Sequence, residues 1–468
     1  MSIDFNRRQL FRSALGFPAL AAAAITDSSG VRKPHFPATA KNVIFLFMHG
    51  GPSHLETFDP KPALNQLAGQ HVPASFGKVQ LQFSKFEQQT VLGCRRTFKK
   101  YGVSGTEVSD LFPNVAGCMD DIAVIRSMYH DGFTHTAALN WLNNGWARLG
   151  RPSLGSWVVY GLGSECENLP SFIVLLEGGI KSGPAVYSSG FLPAAYQGTS
   201  LREGPAPILN LKPAAGMSAS DQRDMLDSLR WFNERHLEQT AGDSSLQARL
   251  ASYELAFRMQ AAAPQLADLS KETEVTRKLY GLDDAVTGSF GGKCLMARRL
   301  VERGVRFVQV WSGGTGGEGD WDGHKECDKN HLQMAAKTDR PIAALLKDLK
   351  SRGLLDTTLV IWGGEFGRTP VSDGNLNGGG GAGGRDHNPY GFSIWMAGGG
   401  IKGGKVIGAT DEIGLRAIES PVHVHDLHAS ILYLLGIDHT RLTYGFQGRD
   451  FRLTDVHGQT DLAKKLRS

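Results

Sequence analysis

The sequence predicts an α/β protein, a mostly parallel sheet covered by helices on both faces and carrying a helical insertion. Three observations predict it. Several short runs are apolar at nearly every residue, as strands buried on both faces are. Amphipathic stretches that end in glycine precede two of these runs, with glycine where a helix C-cap wants it. The loops near the runs gather His, Asp and Glu, and open parallel sheets hold their ligands at the carboxyl ends of strands.

Taken in order, the first strand is Asn42–Met48 (NVIFLFM), stopped by His49-Gly50-Gly51. Residues 122–125, 305–310 and 358–362 have the same form. A helix over 294–301 ends at Gly304 before the third run, and one over 342–349 ends at Gly353 before the fourth. Another helical stretch, 137–144, follows a polar loop at 130–136. Residues 218–280 break this rhythm. Their apolar residues recur at helical spacing (Met225, Leu229, Phe232; Leu250, Leu255, Met259), which predicts a helical insertion or flank whose Met and Phe side chains are core. Residues 374–384 (GNLNGGGGAGG) read as a flexible surface tract.

Composition excludes several classes. With 41% hydrophobic and 21% charged residues the chain is neither disordered nor a multi-span membrane protein. Lys+Arg 50 against Asp+Glu 46 leaves +4, too even for a nucleic-acid footprint. The five cysteines are scattered, odd in number and without a CxxC pair, so neither a disulfide framework nor a thiolate zinc site is expected. At the amino terminus, Arg7-Arg8 precedes a short apolar run ending in small residues. It is too short to span a bilayer and reads as a twin-arginine signal peptide over 1–24, followed by one α/β domain over 25–468. The expected partner is the twin-arginine export machinery, and the expected location periplasmic or extracellular. The mature form is expected not to span a membrane.

Five loops concentrate the polar residues. They carry His49, His54, Glu56 and Asp59; His130, Asp131, Thr134, His135 and Thr136; Asp320, Asp322 and His324, with Asp328 and His331 beyond; Glu365 and Arg368; and Arg385, Asp386 and His387. Imidazole with carboxylate is the ligand set for zinc, manganese or iron, whereas calcium and magnesium take more oxygen. The expected cofactor is a divalent cation: zinc, manganese or calcium. Arg368 is expected either to hold a substrate phosphate or sulfate bidentately or to bridge Glu365. In VHVHDLHASILYLLGI, Asp426 reads as a helix N-cap, and His423, His425 and His428 as structural.

The segments HGGPSHLETFDPKP (49–62), WDGH (321–324), GGEFGRTP (363–370), GRDHNPYGF (384–392) and AGGGIKGG (397–404) resemble the DUF1501 family. So do GATDEIGLRAI (408–418), VHVHDLHASILYLLGIDH (422–439) and TYGFQGRDFRLTDV (443–456). The resemblance covers nearly all of the chain after the signal peptide. It implies a sulfatase-like protein with an alkaline-phosphatase-like three-layer sandwich and a metal-dependent hydrolytic site at the strand ends. His49 stands where that superfamily's first strand bears a metal-binding Asp. His135, ten residues before Gly145, stands at the nucleophile position, with Thr134 and Thr136 beside it. Asp320 and His324 match an Asp-x-x-x-His motif, and Asp322 with His324 gives a tighter form. Glu365 and Phe366 replace an Asp-His pair, and His387 matches a late histidine ligand. The first ion thus has a full complement in Asp320 or Asp322, His324 and His387. The second has lost a histidine; it is absent, rebuilt from His49, His135 and Glu365, or filled by another ion.

The function this implies is an exported hydrolase of phosphate or sulfate esters on a small molecule or saccharide. Attack by a metal-activated water is favoured over a covalent Thr134 intermediate. The alternative is a non-catalytic, metal-stabilised binding protein that keeps the fold.

Overall fold

The computed structural model describes residues 31–81, 85–202, 216–239, 244–314, 319–373 and 383–468. The signal-peptide reading and most of the glycine tract lie outside these residues. The centre is a nine-stranded sheet made of β1 (Asn42–Met48), β2 (Ile122–Tyr129), β3 (Phe172–Leu175), β4 (Thr199–Leu201), β5 (Phe307–Ser312), β6 (Thr358–Gly363), β7 (Phe392–Ala397), β8 (Lys405–Ile407) and β9 (Val422–His423). The order is β8-β2-β7-β6-β1-β5-β3-β4, with β9 also on β2. In this sheet β7 runs antiparallel to β2 and β6, and every other pairing is parallel. All four expected strands are present, each with ends within a few residues of the expectation.

Around the sheet lie α1 (His135–Asn144), α2 (Leu154–Leu162), α3 (Ala219–Gln239), α4 (Ser244–Ala267), α5 (Gly288–Glu302), α6 (Cys327–Ser351), α7 (Val424–Leu434) and α8 (Asp461–Arg467). Strand β1 shows why the layers number three. Its alternate side chains Ile44, Leu46 and Met48 enter a core shared with α5 and α6. Val43, Phe45 and Phe47 enter a second core on the opposite face, shared with α1, α2, α7 and α8. A strand with no polar face is what a sheet covered on both sides requires. Among the described residues, no helix is long and apolar enough to cross a membrane.

The insertion is helical, as expected, but its apolar stripe is not core. Met225, Leu229 and Phe232 are 43%, 38% and 65% exposed, and the neighbouring Trp231 is exposed too. Helix α3 is turned so that Leu226 is buried and Arg223 pairs with Glu254 of α4 at 2.7 Å, leaving the stripe outward. Met259 on α4 is core, as expected.

A candidate metal centre at the strand ends

Because β1, β2, β3, β5 and β6 point the same way, the loops after them open along one edge of the sheet. The loop after β1 turns through Gly50, whose φ is +109°. A Cβ there would lie 2.5 Å from the backbone nitrogen of Asp322, so glycine alone lets the first loop lie against the loop at 320–324. The loop after β2 leads into α1, where Thr134 is the N-cap and accepts the Ala137 N–H at 3.5 Å. That start presents His135 towards the loop after β6, which carries Glu365. His387 lies in a two-residue antiparallel pairing opposite Arg368.

Three imidazoles are fixed by what their Nδ1 atoms touch. His387 Nδ1–H donates to the Phe133 carbonyl at 2.8 Å. His324 Nδ1–H donates to Asp373 Oδ2 and His135 Nδ1–H to Glu365 Oε1, both at 2.7 Å. A neutral ring with its proton so placed presents Nε2 as a bare lone pair, the arrangement of metal-ligating histidines. The three Nε2 atoms converge. Those of His324 and His387 are 2.9 Å apart. Asp322 Oδ2 lies 3.1 Å from His135 Nε2, and Asp322 Oδ1 lies 3.2 Å from His324 Nε2 and 3.5 Å from His387 Nε2. One ligand atom from each of the four residues falls within 4.8 Å of all the others. Lone pairs this close to one another and to a carboxylate repel unless a positive charge lies among them, so the donor set fits a cation.

The electrostatics agree. Burial works to raise the Asp322 carboxyl, but Arg368, His135 and His387 outweigh it and hold it well below the usual carboxylate range. Burial, with Arg368 nearby, pushes His387 well below the usual imidazole value. Burial also works to lower His135, but its bonds to Asp322 and Glu365 prevail and raise it. The two carboxylates thus favour positive charge beside His135, the charge that a divalent cation would supply.

The other expected residues divide into three. His49, Asp320 and Glu365 form a neighbouring buried group: His49 Nδ1 lies 3.3 Å from Asp320 Oδ2, and its ring is 6.1 Å from that of His135. Glu365 Oε1 also accepts the Gly50 N–H at 2.9 Å, while its Oε2 has no hydrogen-bond partner among the described residues. Thr134 stays outside both groups, exposed, as the cap of α1. Arg368 is wholly buried and does not bridge Glu365. Its guanidinium donates to the carbonyls of Gly50, Gly51 and Arg385 and to Asp322 Oδ1, the last at 2.7 Å, which fixes Asp322 and the first loop from behind. His331 is apart as well: it accepts the Ser53 N–H at 2.7 Å and donates to the Cys327 carbonyl.

Sequence reasoning missed four participants. Lys181, in the loop after β3, puts its ammonium 2.7 Å from Asp322 Oδ2 and is 32% exposed, the solvent-side counterpart of Arg368. Asp373 orients His324. His130 donates to the Glu365 carbonyl at 2.5 Å and is pushed down to about 4 by burial. Asp386 lies beside Asp373. Only His130 and Asp386 sat in loops already marked by their polar residues.

The model of the DUF1501 family, described as a protein of unknown function, matches residues 40–463, and the chain belongs to this family. No curated protein matches it. Among solved structures it is similar to the lipoteichoic acid synthase LtaP from Listeria monocytogenes, at 10% identity over 94% of this chain and 81% of that one, with a TM-score of 0.36. It is also similar to the PsFucS1 sulfatase from Pseudoalteromonas sp., at 13% identity over 90% and 71%, with a TM-score of 0.34. The alkaline phosphatase from the Antarctic bacterium TAB5 matches at 13% identity over 85% and 98%, with a TM-score of 0.31.

Proposed function

We propose that this DUF1501 chain is an exported, metal-dependent hydrolase of phosphate or sulfate esters. The observation that carries the proposal is the convergence of three imidazole Nε2 lone pairs on one carboxylate, Asp322. His135, His324, His387 and Asp322 would hold the ion, and three nitrogens with one oxygen suit zinc or manganese. A cation bound there supplies Lewis acidity towards an ester oxygen and towards water.

The chain's own residues do the rest. Lys181 neutralises an anionic oxygen of the ester from the solvent side. Glu365 fixes the ring of His135, Asp373 that of His324, and the Phe133 carbonyl that of His387. Arg368 keeps Asp322 ionised and immobile. The Thr134 oxygen already accepts the cap bond of α1, which favours attack by water over a covalent threonine ester. Phe366 stacks on His387 at 4.1 Å and covers that side of the group against water. Small-molecule or saccharide esters are the substrate class, reached in the periplasm or outside the cell after twin-arginine export.

The second reading, a metal-stabilised binding protein, draws on Arg368. A guanidinium committed wholly to the scaffold leaves Lys181 as the partly exposed cation beside Asp322. Turnover of aryl phosphate and aryl sulfate esters by zinc- or manganese-loaded protein tests the choice. Activity that disappears in His324→Ala supports the hydrolase; metal-loaded, folded protein that binds these esters and hydrolyses neither supports the binding protein. Export is tested by changing Arg7 and Arg8 to Lys, which should strand the precursor in the cytoplasm; unchanged export rejects the twin-arginine route.

A further inference from the structure

His324 faces two ways. Its Nε2 points into the group just described, and its Nδ1–H points away, to Asp373 Oδ2. Next to Asp373 lies Asp386, and one ligand atom from each of His324, Asp373 and Asp386 falls within 4.8 Å of the others. The two acids are held near each other by the Asp373 N–H, which donates to the Gly384 carbonyl at 2.8 Å. Both are buried, Asp373 at 2% and Asp386 at 1% exposure. One oxygen of each is engaged: Asp373 Oδ2 takes the imidazole proton, and Asp386 Oδ1 accepts the His387 N–H at 2.7 Å. The other two, Asp373 Oδ1 and Asp386 Oδ2, have no hydrogen-bond partner among the described residues. Among the described residues, no lysine or arginine forms an ion pair with either acid. Buried carboxylate oxygens are ordinarily satisfied, and two such anions side by side repel. A positive charge between them removes both costs.

We propose that Asp373 Oδ1 and Asp386 Oδ2 bind a second, hard divalent cation, calcium or magnesium, on the outer side of His324. Its chemistry differs from that of the inner group. His324 keeps its Nδ1 proton for Asp373, so the outer donors are carboxylate oxygens, with water or backbone carbonyls completing the shell. Oxygen donors select calcium and magnesium, whereas imidazole lone pairs select zinc. The outer ion holds Asp373 in the orientation that fixes the His324 tautomer, so filling it tightens the inner group. None of this rests on ester hydrolysis.

The test is calorimetric titration of the full-length, zinc-loaded protein with calcium and, separately, with magnesium, zinc content being followed by atomic emission. The wild-type protein takes up one calcium or magnesium ion per chain and keeps its zinc. Asp386→Asn, nearly identical in shape, weakens that uptake by about tenfold or more and leaves zinc in place, as loss of one anionic ligand requires. Since a change at a buried acid can unfold the chain, wild-type protein alone provides a second measurement: calcium or magnesium raises the Tm of the zinc-loaded form. No uptake and no shift in Tm overturns the assignment. So does uptake by folded Asp386→Asn equal to wild type, or release of zinc on adding calcium, which would put both ions at the inner group. Protein that takes up calcium but no zinc keeps the outer site and rejects the inner one, so the two readings fail separately.

Discussion

Two histidine clusters in this molecule use the same side chain in opposite ways. In the inner group, His135, His324 and His387 each anchor Nδ1 and turn Nε2 towards Asp322. At the other end of α1, the order is reversed. His425 and His428 donate Nε2–H to the carbonyls of Gly145 and Leu142, at 2.9 and 2.8 Å, capping the last turn of the helix. His423 takes the His425 N–H on its Nδ1 as the N-cap of α7, with Asp426 completing a capping box. Among the described residues, no carboxylate gathers their remaining nitrogens into a group like that around Asp322. VHVHDLH is the densest histidine run in the chain, yet it is scaffold. Histidine density therefore does not mark a metal site; lone pairs converging on an acid do.

The comparison can be broken most decisively at His387. Changing it to Ala should lower zinc affinity by about a hundredfold or more, measured by competition with a chromophoric chelator, since loss of a ligand exceeds the usual effect of its outer partners. Retained affinity would mean that the lone pairs do not meet on an ion. Asp373→Asn should cost less, about 10–100-fold, because the ring survives and loses only the acceptor that fixes its tautomer.

The capping cluster should respond in stability and not in metal. His428→Leu leaves the Leu142 carbonyl without its donor, a cost of about 1–3 kcal/mol in denaturant unfolding, with zinc content unchanged. The same variant should change the acid response. Burial pushes His428 down to about 3 from 6.5, so the folded protein refuses a proton that the unfolded chain accepts. Its contribution is complete above pH 6.5 and is lost as pH falls towards 3. His428→Leu should flatten that part of the stability profile, and an unchanged slope would show that other buried groups set it. Thr134→Ala is the smallest effect: about 1 kcal/mol for the lost cap and at most about tenfold in ester turnover. Abolished turnover in a folded, metal-loaded variant would instead make Thr134 the nucleophile.

Much of this frame was legible in the sequence, for physical reasons. NVIFLFM, short, apolar and stopped by glycines, reads as a strand wetted on neither face, and the polar loops behind such strands share an edge once the strands are parallel. Of the nine expected site residues, His135, Asp322, His324 and His387 meet in the inner group, while Thr134 stays outside it as a helix cap. What stayed hidden was tertiary. Lys181 follows FIVL, a four-residue strand too short to announce itself, so its loop went unremarked. Asp373 is a lone acid beside glycines, and only the fold sets it against His324. The 3.6-residue period of α3 located an apolar stripe but could not say whether a neighbour covers it. Arg368 looked equally suited to a substrate anion until its carbonyl partners were visible.

The sheet order also has a kinetic consequence. The hydrogen bond between His135 and Glu365 joins residues 230 positions apart, and that between His387 and Phe133 joins residues 254 apart. Loop closures of that span come late, and parallel sheets are slow to assemble because distant pairings must form before they are rewarded. An unfinished chain therefore presents His135, the Asp322 and His324 pair, and His387 separately, far apart in sequence. Under the proposed function, capture of zinc during refolding should coincide with the slowest phase, so that metal uptake reports completed folding.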